Sequence, residues 1–145
     1  MKTLLINSLA VVAGLMLGGM ANMAIVMIGP HVIAPPAGVD MSDVDSLAAG
    51  AHLLTPAHLI FPFLAHAVGT LAGALIANLL STTRRGALAY VIGVFFLAGG
   101  ITASFMIPAP AWFIALDLLL AYIPMAWLAA RLGRRLRPDE TSPAS

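Results

Sequence analysis

Asp117 is the residue most able to do chemistry, because it alone among the carboxylates sits inside a long apolar stretch; Asp40, Asp43, Asp45, Asp139 and Glu140 all lie in polar segments. An acid at membrane depth costs about 2.5–3.5 kcal/mol and therefore faces protein or a water-filled cavity and takes a partner. His66 lies in another apolar stretch, and an imidazole there can bond a carboxylate and change charge near neutral pH. Asn22 and Tyr122, also in apolar surroundings, carry groups that can bond across helices. With His58 they make the candidate binding set: Asn22, His58, His66, Asp117 and Tyr122. Such a set could hold a small molecule or ion or pass a proton. An Asp117 bond to His66 or Asn22 could instead only lock helix register. Both readings stay open on the sequence.

Other chemistries lack their residues. The chain has no cysteine, which removes disulfides, thiolate metal sites, iron–sulfur clusters and thiol nucleophiles. His31, His52 and His58 with a loop aspartate follow no zinc-ligand spacing, and His66 has no second deeply placed histidine with which to share a haem iron. Met16, Met20, Met23 and Met27 form a helical stripe of soft thioethers. Without a Met/His cluster beside it, that stripe reads as apolar filler rather than a copper track. Neither a phosphate-cradling glycine loop nor a nucleophile–base pair stands out. No catalytic residue, metal or cofactor is therefore assigned, and an enzyme is the weaker expectation. A net charge of +1 gives nucleic acid no handle.

The elements that position these residues follow from composition. Of 145 residues 61% are apolar and 9% charged, and mean hydropathy is +0.99; soluble domains carry about a quarter charged residues. The expected solvent is lipid. Four stretches, about residues 3–28, 57–80, 87–107 and 111–130, can each cross about 30 Å of hydrocarbon at about 1.5 Å per residue. The first is too long for a secretion-signal core of about 7–15 residues and reads as a retained anchor. Short connections at 81–86 and 108–110 force antiparallel neighbours. The expected fold is an all-α membrane protein, four transmembrane helices in an up-and-down bundle, forming a single domain over residues 1–137 with a disordered tail at 138–145.

Orientation comes from the cations. Lys2, Arg84, Arg85, Arg131, Arg134, Arg135 and Arg137 all fall at one end of this topology, and the loop acids Asp40, Asp43 and Asp45 at the other. The positive-inside rule then places both termini in the cytoplasm and the 29–56 connection outside. Trp112 at the outer side, with Tyr90 and Trp127 at the inner, suits interfacial aromatic belts. The arginines after the fourth span are explained by topology and attraction to anionic headgroups.

Local signals refine the picture. Val44, Leu47, Ala48, Ala51 and Leu54 fall near helical spacing, so a short amphipathic helix is expected over 42–54, with Ser42 and Asp45 spaced like a capping box. Pro30, Pro35 and Pro36 predict an extended approach to it. Thr55 and Pro56 read as N-cap and first residue of the second span. Gly14, Gly18 and Asn22, and likewise Ala65, Gly69, Gly73 and Ala77, repeat every fourth residue, as seams for close helix contact do. Such seams could serve the bundle itself, a homo-oligomer or a partner in a membrane complex.

Depth then decides which polar residues can meet. Asp117 lies roughly 8 Å and His66 roughly 14 Å below the outer ends of their spans, at the helical rise. Asn22 is level with Asp117, and Tyr122 lies below them. Side chains tilt toward the helix N-terminus, which is outside for both the second and fourth spans, so His66 and Asp117 lean outward together. Pro62 and Pro124 flank this level, each unable to donate a helical hydrogen bond, so a bend is expected just above His66 and another near Asp117. An opened cavity there, covered by the 42–54 helix, would admit a small-molecule ligand.

The run from His58 to Gly73 (HLIFPFLAHAVGTLAG), the run from Phe105 to Asp117 (FMIPAPAWFIALD) and AYIPMAW over 121–127 resemble a family of small four-span bacterial membrane proteins without an assigned activity. The resemblance covers the membrane portion. It implies the same fold and a bacterial inner (plasma) membrane address, and it transfers no site residues.

Overall fold

The computed structural model describes residues 1–41 and 43–137, so Ser42 and the tail at 138–145 lie outside the described residues. Its elements are α1 (Lys2–Val32), α2 (Val44–Gly50), α3 (Ile60–Leu80), α4 (Arg85–Met106), α5 (Ala111–Leu120) and α6 (Ile123–Leu136). Short 3₁₀ segments at Ala51–Leu53 and Pro56–Leu59 lead into α3. No strand occurs among the described residues. Four helical units, Lys2–Val32, Pro56–Leu80, Arg85–Met106 and Ala111–Leu136, are long and apolar enough to cross a membrane. The described residues thus form the expected all-α bundle.

Helix α3 is the hub, packed against α1, α4 and α6. Its contact with α1 is made of glycine. A methyl group at Gly14 would stand 2.6 Å from the Gly73 carbonyl oxygen, and one at Gly18 would stand 2.7 Å from that of Gly69. The pairing of Gly14 with Gly73 and of Gly18 with Gly69 makes the two helices antiparallel. Both small-residue seams are therefore spent on each other. Adjoining this seam, Ala74, Ala77, Ala89, Ile92, Ala126, Ala129 and Ala130 of α3, α4 and α6 form a core of mostly one-carbon side chains. Small side chains are what allow three backbones to approach where apolar burial supplies little drive.

The ends of the bundle differ in charge. Asn7 near the start of α1 bonds Thr82 and Thr83 in the α3–α4 turn, and Arg85 donates to the Arg137 carbonyl beyond α6. These contacts gather Lys2, Arg84, Arg85, Arg134 and Arg137 at one end. Asp40, Asp43 and Asp45 sit on the 33–59 connection at the other.

Four local expectations are corrected. Helix α1 runs through Pro30 to Val32 instead of yielding to an extended chain. Proline removes only one donor near the helix end, and Gly29 packs there against the Phe61 side chain. The surface helix is shorter than 42–54: α2 covers Val44–Gly50 and continues as 3₁₀. Its cap is Asp43, whose carboxylate accepts from the Ser46 N–H at 3.1 Å; the expected Ser42–Asp45 box rests on Ser42, outside the described residues. Pro62 does not bend a running α-helix; it falls in the first turn of α3, after a 3₁₀ start, where helical donors are unpaired anyway. Finally, Pro124 goes with a break rather than a kink. The fourth membrane-length unit divides at Ala121–Tyr122 into α5 and α6.

Candidate functional site

The break between α5 and α6 assembles the site. At 3.6 residues per turn a residue five positions along points about 140° away, so in an unbroken helix Tyr122 could not reach Asp117. Here Tyr122 takes φ −119° and ψ −76°, and its hydroxyl donates to Asp117 Oδ2 at 2.9 Å. The irregular backbone is enclosed, with Ala121 and Tyr122 both buried. Gly100 on α4 makes room for the phenol, since a methyl group there would overlap the Tyr122 hydroxyl.

From α3, His66 places Nδ1 2.9 Å from Asp117 Oδ1 and 3.0 Å from Oδ2. A carboxylate only accepts, so Nδ1 carries the hydrogen when Asp117 is ionised, and Nε2 is left as acceptor in the neutral ring or donor in the imidazolium. No partner for Nε2 occurs among the described residues. The side chain of Asp117 is 7% exposed and that of His66 27%; the acid is sealed and the imidazole is the part that can be approached. The Tyr122 ring lies 5.7 Å from the imidazole at an interplanar angle of 30°, which supports the imidazole laterally. Asp117 thus works through two neighbours, fixing the tautomer and direction of His66 and holding Tyr122.

His66 and Asp117 open on a cavity of about 360 Å³ at the acidic end of the bundle. Its walls come from α1 (Met23, Val26, Pro30), α3 and the segment before it (Leu59, Phe61) and α4–α5 (Ile107, Phe113). Met41 and, on α2, Val44 and Leu47 also line it, so the surface helix forms part of the boundary. Apart from His66, Asp117, His58 and Ser104 the lining is apolar. The Ser104 hydroxyl donates to the Ile101 carbonyl of its own helix at 2.7 Å.

His58 lines the same cavity, but both its ring nitrogens are engaged. Nδ1 lies 3.1 Å from the Thr55 N–H and 2.9 Å from Thr55 Oγ1, and Nε2 lies 3.1 Å from the Ala34 carbonyl oxygen. Acceptance at Nδ1 makes Nε2 the donor, and the ring ties the chain after α1 to the segment before α3. Thr55 is the N-cap expected from sequence, with His58 as its reciprocal partner. Asn22 does not join the cluster. Its side chain packs on Gly69 in the α1–α3 seam, with Oδ1 buried and unbonded. Of the five candidates, three meet directly, a fourth shares the cavity wall and the fifth lies in a helix interface. Among the described residues no three potential ligands gather as a metal site would require, His31, His52 and His58 included.

No protein-family model, curated protein or solved structure matches this chain.

Proposed function

We propose that this chain is a bacterial inner-membrane protein that binds a small lipid-soluble molecule at His66. The observation that carries the reading is the sealed Asp117, both of whose oxygens are spent on aiming His66 and Tyr122, at the wall of an otherwise apolar cavity of about 360 Å³. Apolar walls with few convergent polar groups are the usual make-up of small-molecule sites. The ligand this favours is largely hydrocarbon, with one hydroxyl or carbonyl group to meet Nε2. Proton exchange between that group and the His66–Asp117 pair is within the chemistry of the arrangement.

Support for membrane residence comes from the outer surface, where Leu9, Met16, Met20, Phe95, Phe105 and Leu119 are all exposed. Apolar area on that scale aggregates in water and is solvated by lipid. The gathering of the basic residues at one end favours that end as cytoplasmic, with the cavity toward the periplasm. Arg131 stacked on Trp127, 5.5 Å from the ring centre, fits the interfacial belt. The alternative, an accessory subunit docking through small-residue seams on itself or another membrane protein, loses much of its basis because Gly14, Gly18, Gly69 and Gly73 are consumed within the bundle.

The test is native mass spectrometry of gently extracted protein, which reads copies, co-purifying subunits and retained small molecules together. Wild type is expected to carry an apolar ligand that Asp117→Asn and His66→Gln lose without a change in assembly. A wild-type protein free of ligand, with Asp117→Asn altering only stability or assembly, refutes the proposal. Because the chain has no cysteine, Ala37→Cys and Leu136→Cys report orientation: labelling of Leu136→Cys from the periplasm would reverse it.

A further inference from the structure

A second cavity, of about 340 Å³, lies at the opposite, basic end between the α3–α4 turn and α6. It shares no lining residue with the first. On its wall stands Asn78, fully buried, with neither Oδ1 nor Nδ2 hydrogen-bonded. A buried amide is ordinarily hydrogen-bonded, so one in this position calls for a partner. Its position is built in, because Gly133 on α6 leaves the space that the amide fills and a methyl group there would overlap it.

The surroundings are cationic. Arg84 and Arg134 line the cavity, and neither guanidinium has a hydrogen bond or ion pair among the described residues. Their neighbours are otherwise employed: Arg85 donates to the Arg137 carbonyl at 2.8 Å, and Arg137 donates to the Leu79 carbonyl at 2.8 Å, capping α3. The 22-residue helix α4 begins here without an acidic residue in its first turn and without a side-chain cap, so the N–H groups of Gly86 and Ala87 have no helical acceptor. Arg84, at φ 51°, holds the left-handed backbone that turns the chain into that helix. Thr82 and Thr83 add hydroxyls to the rim.

We propose that this cavity binds a phosphate group, held by Arg84, Arg134 and the N-terminal N–H groups of α4 and completed by the Asn78 amide. Two guanidiniums without counter-ions among the described residues, a helix N-terminus and a buried amide donor together match the charge and the acceptor oxygens of phosphate. The inference is independent of the His66 cavity. The phosphate could belong to an anionic lipid headgroup or to a soluble phosphate compound, and the experiment separates them.

The full-length protein in detergent is titrated in one arm with phosphatidylglycerol, read by native mass spectrometry. In the other arm it is titrated with inorganic phosphate against chloride at equal ionic strength, read by thermal stability. Arg134→Gln and Arg84→Gln are each expected to weaken binding by about tenfold, as loss of a charge-assisted contact does. Arg131→Gln removes the same charge outside the cavity and is expected to change it by less than about twofold, the size of a diffuse surface effect. Retention of phosphatidylglycerol without stabilisation by phosphate assigns the site to lipid; the reverse assigns it to a soluble ligand; response in both arms identifies the phosphate itself as the determinant. Absence of binding in both arms, or equal losses in Arg134→Gln and Arg131→Gln, overturns the proposal. Asn78→Ala is read only alongside these variants, since it also opens a void beside Gly133.

Discussion

Replacing Gly18 with alanine should weaken the bundle, while the same replacement at Gly19 should strengthen it. The two positions are adjacent on α1, so both gain the same intrinsic helix preference, about 0.5–1 kcal/mol. They differ in what the new methyl group meets. At Gly18 it would lie 2.7 Å from the Gly69 carbonyl oxygen and 2.9 Å from the Gly73 Cα, whereas at Gly19 nothing lies within 4 Å. A carbon–oxygen contact relaxes to about 3.3 Å or more, so α1 and α3 must part by about 0.6 Å. The obstacle is backbone and cannot be rotated away. Overpacking of this kind costs about 1–3 kcal/mol. Gly18→Ala should therefore lose up to about 2 kcal/mol net, and Gly19→Ala should gain up to about 1 kcal/mol. The difference between the variants isolates the packing cost. Reversible unfolding by sodium dodecyl sulfate in mixed micelles, followed by the fluorescence of Trp112 and Trp127, measures both. Gly18→Ala as stable as Gly19→Ala would refute the glycine-to-glycine contact. The consequence reaches the site, because α1 supplies Met23, Val26 and Pro30 to the His66 cavity, so Gly18→Ala should also loosen ligand retention.

Tyr122→Phe keeps the ring but removes the donor to Asp117 Oδ2; a loss of about 1–2 kcal/mol in the same unfolding assay is expected, and an unchanged protein would mean the hydroxyl does not support the acid. Gly100→Ala should reproduce that loss by displacing the phenol, whereas Gly99→Ala, with open space around it, should not; equal behaviour of the two would contradict the placement of Tyr122. Asn7→Ala severs the contacts to Thr82 and Thr83 and should cost about 0.5–1.5 kcal/mol. Hydrogen exchange in residues 81–86 should rise with it, and unchanged exchange there would argue against Asn7 as the tie between α1 and the turn.

Run length and charge position were enough to read the helices, since a residue's solvent is recorded in its type: the four apolar stretches, the one-ended distribution of Lys and Arg and the Thr55–Pro56 start are all local properties of the chain. The depth arithmetic also placed His66 and Asp117 in the same half of the bundle with their side chains leaning the same way, because helical rise and side-chain tilt are fixed by backbone geometry. Identity of neighbours is another matter. A four-residue repeat marks a face but not what lies against it, so Gly14, Gly18, Gly69 and Gly73 could as well have served a second copy, and Asn22 could as well have met Asp117 as Gly69. Asn78 went unnoticed although it breaks an apolar stretch as Asp117 does; its meaning depends on Gly133, 55 positions later. The meeting of Tyr122 with Asp117 required a helix break whose direction no proline specifies, and the engagement of both His58 nitrogens required the Ala34 carbonyl to arrive from 24 residues away. The sequence by itself determined the helices and the unequal charge of their two ends, through interactions within a few residues; the tertiary structure alone decided which polar groups are partnered, because hydrogen bonds are short and directional and the groups that satisfy them come from distant parts of the chain.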